Sequence, residues 1–380
     1  MRIDLIVLIS LLSFLLAFVS IPVVIKVSRA KNLFDLPSPR KIHVVPIPSL
    51  GGVGIFIALM FSLASLLPFS SAPWIQYFIA SSIIVFFLGV KDDIMLLSPM
   101  NKFMGQAVAV FILIFKGGFV INSFHGFLGI DQMHPILCIA FTFLTMLVII
   151  NAFNLIDGVD GLAGMLGLIS SVTFGVLFML ENDLIFAALS FSLASALAGF
   201  LIFNFAPAKI FMGDTGSLLV GLVNAILVIH FINIESSTAS QLHLNAPPAL
   251  GFAILYVPLM DTFRISLLRI YYAKSPFESD KNHIHHILLR RGYSHMKISV
   301  VLSLFTIALS LLTLLAQPLG INMLFLFMFL TLVVIMFTLK DPKQVTSIAD
   351  YKSGIGELKL STSSKVVTSE GDIVERKSNF

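Results

Sequence analysis

The stretch 4–31, DLIVLISLLSFLLAFVSIPVVIKVSRAK, is apolar from residue 5 to residue 25 and then turns basic at Lys26, Arg29 and Lys31. A bilayer span needs roughly 20 apolar residues. A secretory leader carries its positive charge before the apolar run and a small-residue cleavage site after it. Here the basic residues follow the run, continue at Arg40 and Lys41, and no convincing cleavage site accompanies them. The segment reads as a retained membrane span.

The rest of the chain points to the same solvent. Of its 380 residues 57% are hydrophobic and 12% charged, with a mean hydropathy of +0.99, whereas a soluble globular chain is roughly a quarter charged. Candidate spans lie at 4–25, 51–70, 75–90, 103–116, 134–152, 161–180, 184–203, 215–233, 247–264, 297–316 and 320–339. The expected fold is all-α and polytopic, with about eleven transmembrane helices. The net charge of +4 is not gathered on one face or tail, so nucleic acid is not an expected partner. Cys138 is the single cysteine, which excludes intrachain disulfides and a thiolate metal cluster.

Lys and Arg near span ends resist translocation. The 26–50 loop is therefore cytoplasmic and the N-terminus outside. Counting forward puts 91–102, 151–161, 204–214 and 265–296 inside, the last with Arg269, Lys274, Lys281, Arg290 and Arg291; 71–74, 181–183, 234–246 and 317–319 fall outside and hold no Lys or Arg. The C-terminus is then cytoplasmic. Residues 1–340 form the membrane domain, and 341–380, rich in Ser, Thr, Lys and Glu, a polar cytoplasmic tail.

The polar residues left between the spans gather on the cytoplasmic loops. A helix cap explains any one of them, but capping does not require every acid-rich loop to lie on one side. In GVKDD (89–93), the adjacent carboxylates of Asp92 and Asp93 suit metal or proton handling, because their repulsion raises one pKa or demands a cation. Lys102 begins the next span, placed for a membrane-surface phosphate, although simple snorkelling would put it there too. In NAFNLIDGVDGLAG (151–164), Asn151, Asn154, Asp157 and Asp160 recur every third residue with glycines between, oxygen donors suited to a hard cation such as Mg²⁺. Asp214, in FMGDTGSLLVG, follows Phe211 where a loop opens a span, and is read as a metal ligand. His283, His285 and His286 lie beside Lys281, with no Cys and no HExxH helix to favour zinc. They are read as anion-binding donors.

In order and spacing these motifs resemble the polyprenyl-phosphate N-acetylhexosamine-1-phosphate transferase family, from about Arg40 to Arg291. The HIHH form, with PLMDTFRISLLRI before it, is similar to the branch that uses GlcNAc rather than the branch that uses phospho-MurNAc-pentapeptide. The resemblance implies catalytic positions at Asp92, Asp93, Lys102, Asp157, Asp160 and His283, with Asp157 and Asp160 bordering the uridine site. It implies substrate-binding positions at Asn204, Phe211 (stacking on uracil), Lys281, His285 and His286, and Mg²⁺ ligands at Asn154 and Asp214, with Mn²⁺ as a substitute. Asp261 lies in a family motif as well. The implied partners are a UDP-N-acetylhexosamine, undecaprenyl phosphate, membrane lipid and a second copy in a homodimer; the implied location is the bacterial cytoplasmic (inner) membrane. The implied reaction joins the lipid phosphate to the β-phosphorus of the nucleotide sugar and releases UMP. A transporter would instead carry ionisable residues inside its spans, whose middles here are almost free of charge, and a lipid-binding scaffold would be expected to have lost one of the acids.

Overall fold

The computed structural model describes residues 3–33, 47–67, 70, 72–234, 242, 244–271 and 282–339. Arg40, Lys41, Lys274, Lys281 and the tail 341–380 lie outside them. The chain divides into two compact units, Met1–Val333 and Val334–Phe380, and the site described below belongs wholly to the first. Among the described residues there are thirteen α-helices and no strand: α1 (Ile3–Ala30), α2 (Gly51–Leu66), α3 (Ile75–Ile94), α4 (Pro99–Phe115), α5 (Pro135–Ile156), α6 (Leu162–Leu180), α7 (Leu184–Asn204), α8 (Gly213–Ile232), α9 (Pro247–Ile254), α10 (Tyr256–Tyr271), α11 (Ile284–Arg290), α12 (His295–Leu315) and α13 (Ile321–Thr338).

Each of the eleven apolar segments falls on a helix or, for 247–264, on the α9–α10 pair. Eight helices are long and apolar enough to cross a bilayer, nine spans if that pair counts as one. The apolar helices α2 and α4 have only 16 and 17 residues. The expected continuous helix over 247–264 is instead bent by 83°. Pro258 has no N–H for the carbonyl of Ile254, where α9 ends, so the ladder breaks there.

α8 is the central post. Its most apolar 18-residue stretch is 94% buried, against 22% for α13 and 28% for α1, as expected of a helix apolar on every side. Glycines let its neighbours approach its first turn: a Cβ on Gly52 of α2 would stand 2.0 Å from the amide nitrogen of Gly216, and one on Gly89 of α3 2.4 Å from Thr215 Cα. Small residues at contacts are how helices pack closely in lipid, where no hydrophobic force drives them together. Buried hydroxyls and amides add links: Ser13 Oγ donates to the Ser192 carbonyl at 2.8 Å, Ser62 and Ser192 share a 2.9 Å bond, and Ser170 Oγ donates to Asn224 Oδ1 at 2.6 Å. Each such bond contributes about 0.6 kcal/mol on average in membrane proteins. The close packing fixes the end of the bundle where α3, α5 and α7 stop and α4, α6 and α8 start.

Candidate active site

Three oxygens converge on one ammonium at that end. Lys102 Nζ, in the first turn of α4, donates to Asn154 Oδ1 at 2.9 Å, to Asp92 Oδ2 at 3.3 Å and to Asp214 Oδ2. Asn154 on α5 turns its amide nitrogen to Asp214 Oδ1 at 2.8 Å and to Ser217 Oγ at 3.0 Å, so its oxygen must face Lys102. A second amide pair sits one turn deeper. Asn151 Nδ2 donates to Gln106 Oε1 at 2.8 Å and Gln106 Nε2 donates back at 3.3 Å. Residues 102 and 106 on α4, and 151 and 154 on α5, share helix faces, so the buried pair sets the rotation that brings Lys102 to Asn154.

Asp92 and Asp93 do different work, because consecutive residues on a helix point about 100° apart. Asp92 receives Lys102 and, on Oδ1, the backbone amide of Leu97 at 2.6 Å. Asp93 caps α8 from outside it: its oxygens accept from the amides of Asp214 at 2.8 Å and Thr215 at 3.0 Å and from Thr215 Oγ1 at 2.5 Å. These are amides that a helix N-terminus leaves unbonded. The Asp157 carboxylate accepts from Gly213, just ahead of them. Burial pushes the Asp157 carboxyl up to about 8, with the charges of Asp214, Asp93 and Asp160 adding to it.

The 157–161 turn is held on two sides. Gly161 caps the start of α6 at φ +79°, a left-handed conformation that suits glycine, and its amide donates to Asn204 Oδ1 at 2.9 Å. Asn204 Nδ2 donates to the Ile210 carbonyl at 2.9 Å. Asn204 is buried, and both ends of its amide join loop to loop, bracing the turn. From α12, His295 Nδ1 stands 3.3 Å from Asp160 Oδ1, and Ser299 Oγ donates to the Asp160 carbonyl at 2.9 Å. Phe211 is half-buried; its amide donates to the Pro48 carbonyl at 2.8 Å and its carbonyl accepts from Gly51 at 2.9 Å.

The three histidines, expected to act alike on an anion, have separate environments. His283 Nδ1 lies 2.9 Å from Asp261 Oδ2. His285 is 1% exposed, its Nδ1 has no hydrogen-bond partner, and its Nε2 rests so close to Gly158 that a Cβ there would stand 2.2 Å away. Burial holds that ring neutral, pushing it down to about 3, and His286 adds to the effect. His285 therefore packs the start of α11 on the 157–161 turn as a neutral ring. His286 is half-buried, its ring centroid 4.3 Å from that of His285. Lys281 lies outside the described residues.

Sequence reasoning missed Gln106, His295 and Ser299 and left Asp261 without a role. The pair 295 and 299 had a signal, since i and i+4 share a helix face; the others are partners only across elements.

The oxygen set suits a hard cation: Asp92, Asn154 and Asp214 already surround a positive charge, and the Asp92 and Asp214 carboxyls lie within hydrogen-bond reach of each other. Among the described residues no three His, Cys, Asp or Glu side chains form a preformed metal cage.

The sequence model of glycosyl transferase family 4 matches residues 75–232, the stretch from α3 to α8 that carries this cluster. The decaprenyl-phosphate N-acetylglucosaminephosphotransferase of Mycobacterium leprae (strain TN) is 31% identical over 290 residues, covering 71% of this chain and 73% of that protein. The undecaprenyl-phosphate alpha-N-acetylglucosaminyl 1-phosphate transferases of Yersinia pestis and Escherichia coli O157:H7 are 28% and 27% identical over 314 and 299 residues. They cover 81% and 77% of this chain, and 82% and 78% of those proteins.

Proposed function

The chain belongs to glycosyl transferase family 4, and from that premise we propose that it transfers GlcNAc-1-phosphate from UDP-GlcNAc to a polyprenyl phosphate. The observation that carries the reading is the convergence of Asp92, Asn154 and Asp214 on Lys102, in a chain whose relatives are named for this transfer. An oxygen of the lipid phosphate attacks the β-phosphorus, the bond from that phosphorus to the bridging oxygen breaks, and UMP leaves with the electron pair.

Most of the acceleration in such a reaction comes from positioning and charge compensation. Lys102 supplies a positive charge for the acceptor phosphate; its three donors are engaged by Asp92, Asn154 and Asp214, so it turns from those oxygens to the phosphate when the substrates bind. A phosphate monoester is largely ionised at neutral pH, its second pKa being about 6, so Asp92 has at most one proton to remove. Direct attack is favoured over a covalent phospho-aspartate. Both oxygens of Asp93 are held by α8, and those of Asp92 by Leu97 and Lys102, bonds that weaken both carboxylates as nucleophiles while leaving Asp92 lone pairs for a proton. Asn154 and Asp214 would hold Mg²⁺, whose chemistry is to neutralise diphosphate charge. The 157–161 turn and Phe211 are the proposed uridine side of the site.

The reading extends to eleven spans, counting α2, α4 and the bent pair, with the N-terminus outside and the C-terminus in the cytoplasm. It also includes a homodimer in the bacterial inner membrane, undecaprenyl phosphate as acceptor, and 341–380 as a separate tail. The test uses purified protein in detergent with undecaprenyl phosphate and a panel of UDP-N-acetylhexosamines, following UMP. Release from UDP-GlcNAc that requires both lipid and Mg²⁺ and collapses in Asp214→Ala is expected. No release with any donor, from protein shown to be folded, would overturn the proposal.

A further inference from the structure

A buried ionic group lies on α10, just beyond the bend. Asp261 is 1% exposed and Arg264 4%, in a segment whose hydrophobic surroundings make an uncompensated charge costly. Neither oxygen of Asp261 is spare. Oδ2 lies 2.9 Å from His283 Nδ1 and Oδ1 accepts from the amide of Ile284 at 2.9 Å. Arg264 Nη1 stands 3.6 Å from the same Oδ1 and donates to the Asn282 carbonyl at 2.7 Å. Three successive residues, Asn282, His283 and Ile284, are thus fixed to two side chains one helical turn apart. What they fix is the start of α11, the helix whose His285 ring rests on Gly158 beside Asp157.

We propose that Asp261 and Arg264 are positioning residues for the transfer reaction, locking the rotation and tautomer of His283 and thereby seating the histidine helix against the 157–161 turn. A carboxylate on Nδ1 fixes the proton there and leaves Nε2 as the working nitrogen, the arrangement by which carboxylates orient imidazoles in other sites. The bend at Pro258 is part of the device, since it redirects the chain so that α10, rather than a straight continuation of α9, carries the carboxylate. Asp261 bonds to the His283 ring and to the Ile284 amide and, among the described residues, not to Lys102, Asp92, Asn154 or Asp214, so its effect on the reaction runs through the start of α11, with the His283 tautomer the part that only the carboxylate sets.

The inference rests on the proposed transferase activity, and two measurements separate the failure of one from the failure of the other. UMP release is compared for wild type, Asp261→Asn, Asp261→Glu, His283→Gln and the double variant Asp261→Asn/His283→Gln. Asp261→Asn is expected to lower kcat by about 10–100-fold, as loss of an orienting partner commonly does, to leave KM for UDP-GlcNAc within about threefold, and to be partly rescued by glutamate. In the His283→Gln background it should have no further effect. Full multiplicative loss in the double variant would mean that Asp261 acts without His283 and would overturn the proposal. Independently of activity, ¹⁵N-histidine resonances assigned by their absence in His283→Gln should report a protonated, hydrogen-bonded Nδ1 in wild type and a changed signal in Asp261→Asn. An unchanged signal would overturn the proposal even if every variant were inactive.

Discussion

Gly89 and Gly105 offer a matched pair of alanine substitutions that differ in what the new methyl group meets. Gly89 lies one turn before Asp93 on α3, and its Cβ would stand 2.4 Å from Thr215 Cα and 2.8 Å from the Asp214 carbonyl carbon, both backbone. Gly105 lies one turn after Lys102 on α4, and the three atoms nearest its Cβ would all belong to the Leu88 side chain, the first at 2.8 Å. Ordinary contact begins near 3.4 Å, so Gly89→Ala must push α3 and α8 apart by about 1 Å, which Leu88 can avoid at Gly105 by changing rotamer. That displacement separates Asp92 from Asp214 and stretches the cap that Asp93 makes on α8. Misplacement of reacting groups by about 1 Å costs on the order of 10²-fold, and overpacking costs about 1–3 kcal/mol of stability. Gly89→Ala should therefore lose about 10²-fold in kcat for UMP release while remaining folded by size-exclusion and thermal melting, and Gly105→Ala should stay within about threefold. Equal activity in the two variants would refute the argument that close approach of α3 and α8 sets the site.

Three further outcomes follow from the geometry. Lys102→Met should lower UMP release by about 10²-fold or more, with Lys102→Arg intermediate, because Arg keeps the charge but not its point geometry; near-wild-type turnover in Lys102→Met would remove Lys102 from the reaction. Asn151→Leu leaves the buried Gln106 amide without its partner and should cost about 1–3 kcal/mol, Gln106→Leu should cost less because Asn151 keeps its bond to the Leu147 carbonyl, and the double variant should melt higher than Asn151→Leu, the reverse order showing that the pair is not coupled. Asp157 takes its proton more tightly folded than unfolded, so the stability it contributes is present below its unfolded pKa and lost as pH rises through about 8. In EDTA, melting temperature should fall with rising pH across neutrality in wild type and fall less steeply in Asp157→Asn, and identical slopes would count against the burial argument.

The sequence made the helices legible because apolar runs of span length have few alternatives in lipid. It also made legible that Asp92, Lys102, Asn154 and Asp214 share one end, since loop parity follows from counting spans. The break within 247–264 was not legible from hydropathy, because a bent pair is as apolar as a straight helix; Pro258 was its only local sign. Nor was the division of labour between Asp92 and Asp93, which depends on α8 lying against one and Lys102 against the other. Asp261 with His283, and Asp160 with His295, join residues 22 and 135 positions apart. No periodicity in a single chain encodes such a pairing.

The electrostatics of the site argue for how its substrates arrive. Asp93 is offset by the amides that begin α8, and Asp157 holds its proton to about 8. That leaves the carboxyls of Asp92 and Asp214 against the one ammonium of Lys102 where they meet, with no positive charge to spare in this cluster. A phosphate monoester and a diphosphate, both anionic, must enter that same space, and repulsion between like charges a few ångströms apart in a poorly screened site amounts to several kcal/mol. Lys102 cannot balance both. Among the described residues this cluster is therefore short of positive charge, and on the proposed reading a nucleotide sugar carrying a divalent cation would meet attraction at Asn154 and Asp214 where the bare anion would meet repulsion.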